Sequence, residues 1–188
     1  MSIASCAAAA VATFPNTSVQ TTAGALPLPV VLVAIAGAES TWRDNAQGDY
    51  GLDSLFGLCD GYSSWGLWQI HNVHASYLSQ ASGSQDPCAW AAWLYIPANC
   101  AKAALAIYQS QGLGAWSTYT GGEWQGYITQ AQSAIASLPP TQTGGGGGGA
   151  GSTAPSPPIP SLLLAGLGAG LFTGLGLLAG IAIIEGWI

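Results

Sequence analysis

Only 5% of the 188 residues are charged, against roughly 25% in ordinary soluble domains. The two cationic side chains, Arg43 and Lys102, with a net charge of −6, cannot make the basic surface that nucleic acid or anionic lipid would need, so both are excluded as electrostatic partners. The length allows one domain and an appendage.

In chain order, residues 1–26 are small and weakly apolar, with Ala7 to Ala10 in a row. No basic stretch precedes them and the apolar run is short, so they read as a lead-in rather than a cleaved signal peptide. Residues 27–138 read as one mostly helical domain. Pro27 and Pro29 suit the first turn of a helix, and the apolar run to Ala38 is too short to span a bilayer, which makes it a buried core helix. That run ends in Gly37–Ala38–Glu39–Ser40–Thr41–Trp42. From Arg43 to Asp60 a scatter of Asn, Asp and Gly predicts a loop. Asp86–Pro87 opens a helical stretch that Pro97 breaks. A further helix follows from Ala98, with Gly112 as its C-cap, and "EWQGYITQAQSAI" supplies the last, placing Trp124, Tyr127, Ala131 and Ile135 on one face.

Residues 139–160 hold two prolines, six consecutive glycines and four more prolines, the composition of a linker. As a coil it would span roughly 25 Å. Leu162 to Ile184 carries no charge and, as a helix, is about 35 Å long, enough to cross a bilayer. Gly166, Gly170 and Gly174 recur at the four-residue spacing that lets membrane helices pack, so a helix-mediated oligomer is an expected association. The expected organisation is thus a lead-in (1–26), a domain (27–138), a linker (139–160) and a C-terminal transmembrane helix (161–188).

Three blocks carry the chemistry. "AIAGAESTW" is followed about 25 residues later by "SWGLWQI". Asp86–Pro87, Asn99, Ala101, Ala103–Ala104, Tyr108 and then "GLGAWSTY" form the third. In this order they resemble the lysozyme-like domain of the soluble lytic transglycosylase family, over roughly residues 27–137, with a phage-borne pattern in the third block. The segment Cys88 to Ala98 departs from that pattern and reads as an insertion. The resemblance implies a mainly α, goose-type lysozyme-like fold. It also implies a peptidoglycan substrate and Glu39 as general acid, with no cofactor. Physical chemistry agrees: a glycosidic oxygen leaves only when protonated, so the acid must hold its proton near neutral pH, and an apolar helix behind the carboxyl favours the neutral form. Ser40, Ser64, Gly66, Gln69 and Ile70 fall in the matching blocks and are the expected substrate contacts. Trp42, Trp65, Trp68, Tyr62 and Tyr119 are candidates for stacking on sugar rings.

A two-carboxylate hydrolase needs a second acid across the bond, which Asp49, Asp53 or Asp60 would supply unless they only form turns. In lytic transglycosylases the substrate's own N-acetyl group assists instead, and the same Glu then deprotonates the sugar's 6-hydroxyl. His71 and His74 with Cys59, Cys88 and Cys100 lack the spacing of a zinc site, so no metal is expected. A disulfide between Cys88 and Cys100, which flank the apparent insertion, is expected instead. The function expected from the sequence is a peptidoglycan-cleaving lytic transglycosylase, anchored in a virion membrane or a bacterial envelope with its catalytic domain facing the wall, and accompanied by other virion proteins in the first case. The alternatives are a muramidase of the hydrolase type and a non-catalytic wall-binding protein of the same fold.

Overall fold

A computed structural model describes residues 2–139, Asp53 excepted. The linker's later part and the apolar run Leu162 to Ile184 lie outside the described residues. Among the described residues no helix is long and apolar enough to cross a membrane.

The segment read as a lead-in holds helix α1 (Ile3–Thr13). Its alanines have the highest intrinsic helix propensity, and it ends where Phe14 precedes Pro15 and turns extended, as a residue before proline must. Cys6, Ala7, Ala9 and Ala10 are buried, and α1 packs on helices α2 (Leu28–Ser40) and α5 (Pro97–Gln111). These small side chains show no strong hydrophobic signal on their own, which is why the sequence left residues 1–26 outside the domain. A hairpin of β1 (Ser18–Thr21) and β2 (Gly24–Pro27) leads into α2 (Leu28–Ser40).

Helix α2 is the axis of the domain. Pro27 caps it and Pro29 lies in its first turn, as expected. Every residue from Leu28 to Gly37 is buried, so the helix is apolar all round. Each of its buried Leu, Ile and Val side chains contributes about 1.5–3 kcal/mol relative to exposure. It contacts α1, the last helix α7 (Ile128–Ala136) and a 3₁₀ turn at Glu123–Tyr127. At Gly37 a Cβ would lie 2.6 Å from the Tyr127 ring and 2.7 Å from Trp42, so only glycine admits that approach. Two successive left-handed residues, Thr41 (φ 53°) and Trp42 (φ 56°), end the helix.

The expected loop from Arg43 to Asp60 contains a short strand, β3 (Gln47–Gly48), which pairs antiparallel with β4 (Ser64–Trp65), itself paired with β5 (Ile70–His71). Helix α3 (Ala75–Ser82) follows. Helix α4 (Pro87–Leu94) starts where predicted, with the Asp86 carboxylate accepting from Cys88 N–H at 3.0 Å. Pro97 ends that stretch by starting α5 (Pro97–Gln111), and Gly112 caps α5 with φ 70°. The segment read as an insertion is therefore α4, whose Trp90, Ala91 and Leu94 are buried in the core. Helix α6 (Ser117–Gly121) and α7 complete the domain; the expected last helix is shorter, its first turns being the 3₁₀ segment Glu123–Tyr127.

The expected Cys88–Cys100 bond is not formed. Cys88 pairs with Cys59, with Cα atoms 4.7 Å apart. Cys88 lies exposed in the first turn of α4, whereas Cys100 lies fully buried in α5, beyond the other end of a helix about 12 Å long. Cys6 and Cys100 are free thiols, and burial pushes the Cys100 thiol up to about 12.

Candidate active site

Glu39 occupies the last turn of α2 with its carboxyl half-buried, and Thr118 Oγ1 on α6 donates a hydrogen bond to Glu39 Oε1 at 2.7 Å. Burial is the main cause that raises the Glu39 pKa above its ordinary value; the Thr118 bond opposes it, and the charges of Asp49 and Glu123 add to it. The negative end of the α2 dipole favours the neutral acid in the same sense.

Glu39 opens into a cavity of about 360 Å³. The small sheet forms a second wall: Asp49 just after β3, Ser64 on β4, Gln69 just before β5 and His71 on β5. The segment Ala115–Trp116–Ser117, entering α6, forms a third. Asp49 (φ 58°) and Gln69 (φ 46°) both hold left-handed backbone that non-glycine residues rarely adopt. Such conformations persist only where surrounding bonds fix them. At Asp49 the Ser64 hydroxyl donates to Oδ2 and the Ser63 hydroxyl donates to the backbone carbonyl. At Gln69 the side-chain Nε2 donates to Gly66 O at 2.9 Å and the backbone N–H donates to the same carbonyl at 3.2 Å.

The sequence-derived candidates divide. Glu39, Ser64 and Gln69 share the cavity. Ser40 does not: it is 2% exposed, and its hydroxyl faces the carbonyls of Ala36 (2.9 Å) and Leu67 (2.8 Å), tying α2 to the turn that follows β4. Gly66 serves that turn rather than a sugar. It has φ 81°, and a Cβ there would lie 2.8 Å from both Leu94 O and Cys100 Sγ. Trp68 is fully buried, donating from Nε1 to Leu32 O at 2.7 Å, and Ile70 is 1% exposed; both are core. Trp65 is fully buried too. Trp42 turns away from Glu39. Its Nε1 donates to Val33 O, its ring meets Tyr127 edge-on at 5.3 Å, and it lines a separate groove beside Ile3 and α7. Tyr119 stacks on Trp124 at 5.2 Å, and Tyr62 meets Tyr50 at 5.1 Å; neither lines the cavity. Of the five rings that read as sugar platforms, Trp65 and Trp68 are thus core and the other three make contacts away from the cavity.

Of the three loop aspartates, Asp49 reaches the cavity, Asp60 does not, and Asp53 lies outside the described residues. His71, considered only for zinc, lines the cavity as well, and Cys59 and Cys88 are committed to the disulfide. Thr118, Ser117 and Trp116 were missed as individuals. The "GLGAWSTY" block contained them, but only the approach of α6 to the end of α2 assigns Thr118 to Glu39.

A mainly helical domain with a small antiparallel sheet, and a half-buried carboxylic acid in a polar cleft between them, has the architecture of a glycosidase that acts on peptidoglycan. The chain belongs to the lysozyme-like domain family, whose model matches residues 17–118, more than half of the chain. The match begins upstream of the expected boundary at residue 27, taking in the hairpin, and runs through α4 to Thr118. No curated protein and no solved structure matches it.

Proposed function

We propose that the protein is a lytic transglycosylase that cleaves the β-1,4 bond between N-acetylmuramic acid and N-acetylglucosamine, with Glu39 as proton donor and then proton acceptor. The observation that carries this reading is the position of Glu39: its carboxyl ends a helix buried from Leu28 to Gly37, is half-buried in a polar cavity, and has a pKa raised above its ordinary value by that burial. A raised pKa suits an acid that must protonate the departing glycosidic oxygen. Its conjugate base then takes the proton of the sugar's 6-hydroxyl, giving a 1,6-anhydro end. Of the expected substrate contacts, Ser64 and Gln69 face the same cavity.

A second reading, a hydrolase that activates water, is favoured by one feature, the Asp49 carboxylate in the cavity with Glu39. One experiment addresses both. Purified peptidoglycan is digested with wild type and Glu39→Gln, and the released muropeptides are weighed. Glu39→Gln is expected to lose at least about 10²-fold in rate, and wild-type products are expected to carry anhydro ends. Reducing ends would select the hydrolase. Full activity of Glu39→Gln would remove the proton-donor assignment.

The setting belongs to the same proposal. The uncharged run Leu162 to Ile184 would anchor the enzyme as a single-pass membrane protein, with the Gly/Pro-rich linker giving the domain reach toward the wall. The wall lies outside the host membrane, so the domain faces it, whether in a virion that penetrates the envelope or in a bacterial envelope. Pairing through the glycine repeat, or with other virion proteins, would follow from the same helix.

A further inference from the structure

Asp49 is held in place more firmly than a turn residue needs. Val73 N–H donates to His71 Nδ1 at 3.2 Å, so in the neutral ring the proton sits on Nε2. Nε2 lies 3.4 Å from Ser63 Oγ, and Ser63 gives its own proton to the Asp49 carbonyl at 3.2 Å. These donors all run one way, from Val73 through His71 and Ser63 to the Asp49 backbone, which they pin at φ 58°. Separately, the buried Ser64 hydroxyl donates to Asp49 Oδ2. Among the described residues, Oδ1 receives no hydrogen bond. Among the described residues no Lys or Arg lines the cavity to pair with this carboxylate.

We propose that Asp49 accepts, through its uncommitted oxygen, a hydrogen bond from the N–H of the N-acetyl group on the sugar being cleaved. This deepens the transglycosylase reading and rests on it. The chemistry requires such a partner. As Glu39 gives its proton to the glycosidic oxygen, the C1–O bond breaks and the acetamido oxygen bonds to C1, leaving a cyclic oxazolinium with positive charge shared by its nitrogen. The 6-hydroxyl oxygen then bonds to C1, the acetamido oxygen is released, and the hydroxyl proton returns to Glu39. No water or other reagent enters. A fixed anion at the N–H binds this charged state better than the neutral substrate, which raises kcat more than it lowers KM. Ser63, Ser64 and His71 are positioning residues for that anion.

Asp49→Asn tests this, because the new amide oxygen can still accept from Ser64 while its NH₂ faces the cavity as a donor. With melting unchanged, kcat on peptidoglycan at the variant's own optimum pH should fall about 10²-fold, with KM little altered. Affinity for a thiazoline mimic of the cyclised sugar should fall in parallel, and the residual products should remain anhydro. If Asp49→Asn lowers the melting temperature, Ser64→Ala is used instead. It keeps the charge but frees it, and a partial loss of kcat is expected. Full kcat in a folded Asp49→Asn, or unchanged thiazoline affinity, overturns the proposal. So do reducing-end products in wild type together with an inactive Asp49→Asn, which would make Asp49 a base toward water. Activity of Glu39→Gln would instead sink the underlying proton-donor reading, so the two failures are distinguishable.

Discussion

Gly66→Ala separates a steric keystone from a sugar contact. Gly66 N–H donates to Ala46 O at 2.9 Å, and its carbonyl receives both donors of Gln69, so its backbone cannot move without opening the cavity wall. At φ 81° a Cβ costs about 1–2 kcal/mol in local sterics. The same Cβ would lie 2.8 Å from Leu94 O, a backbone atom, and 2.8 Å from Cys100 Sγ, and overpacking of that kind costs about 1–3 kcal/mol. Stiffening of the unfolded chain returns up to about 1 kcal/mol. The net loss is about 1–5 kcal/mol, a large share of the stability of a domain this size. In urea, with a slope near 2 kcal/mol/M, the midpoint should fall by about 0.5–2.5 M. Activity per folded molecule should fall with it as Gln69 loses its anchor. A variant within about 0.5 kcal/mol of wild type that had nonetheless lost activity would refute the packing argument and return Gly66 to the substrate.

Two further outcomes follow from the site and its loop. Thr118→Val removes the hydrogen bond that favours the Glu39 carboxylate, so the Glu39 pKa should rise further and the alkaline limb of kcat/KM should move to higher pH; a limb that stays put or moves lower excludes Thr118 as its partner. Reducing Cys59–Cys88 opens a loop of 29 residues that carries β4, β5 and α3, and should cost about 3.5 kcal/mol of stability on loop-entropy grounds, read as a urea shift between oxidised and reduced protein.

The sequence revealed α2 with Glu39 at its end, the proline that opens α4, the break at Pro97 and the Gly112 cap, because each is signalled by residues close together in the chain. It did not reveal α1: its buried face is mostly alanine, and only packing against α2 and α5 shows that face to be inside. It misassigned Trp68 and Ile70 because a Trp in a motif reads equally as platform or core, and the deciding partner, the Leu32 carbonyl, is 36 residues away. Ser40 was set beside Glu39 by sequence, yet adjacent helix residues point about 100° apart, so one faces the cavity and the other the core. Asp49 and His71 were visible as residue types. Their convergence on Glu39 depends on strand pairing across β3, β4 and β5, which two-residue strands do not announce.

The low charge of this chain is part of how Glu39 is set. Burial is the main cause raising its pKa, the Asp49 and Glu123 charges push the same way, and only the Thr118 hydroxyl opposes them. Of the two cations, Arg43 turns its Nε to the Ser40 carbonyl at 3.1 Å, and Lys102 lies on α5. A proton donor so arranged carries a stability consequence with a definite sign. A carboxyl with a raised folded-state pKa makes its full contribution to stability below its ordinary value of 4.5, and that contribution is lost as pH rises through the folded value. Above that window wild type buries part of a negative charge, whereas Glu39→Gln keeps a neutral group that can still accept the Thr118 proton. Glu39→Gln should therefore match wild type in urea midpoint near pH 4, exceed it near pH 8, and be catalytically inert at both. Parallel midpoints across that range would mean that Glu39 ionises in the folded protein as readily as in the unfolded chain, and the physical case for it as the acid would fail even if the variant were inactive.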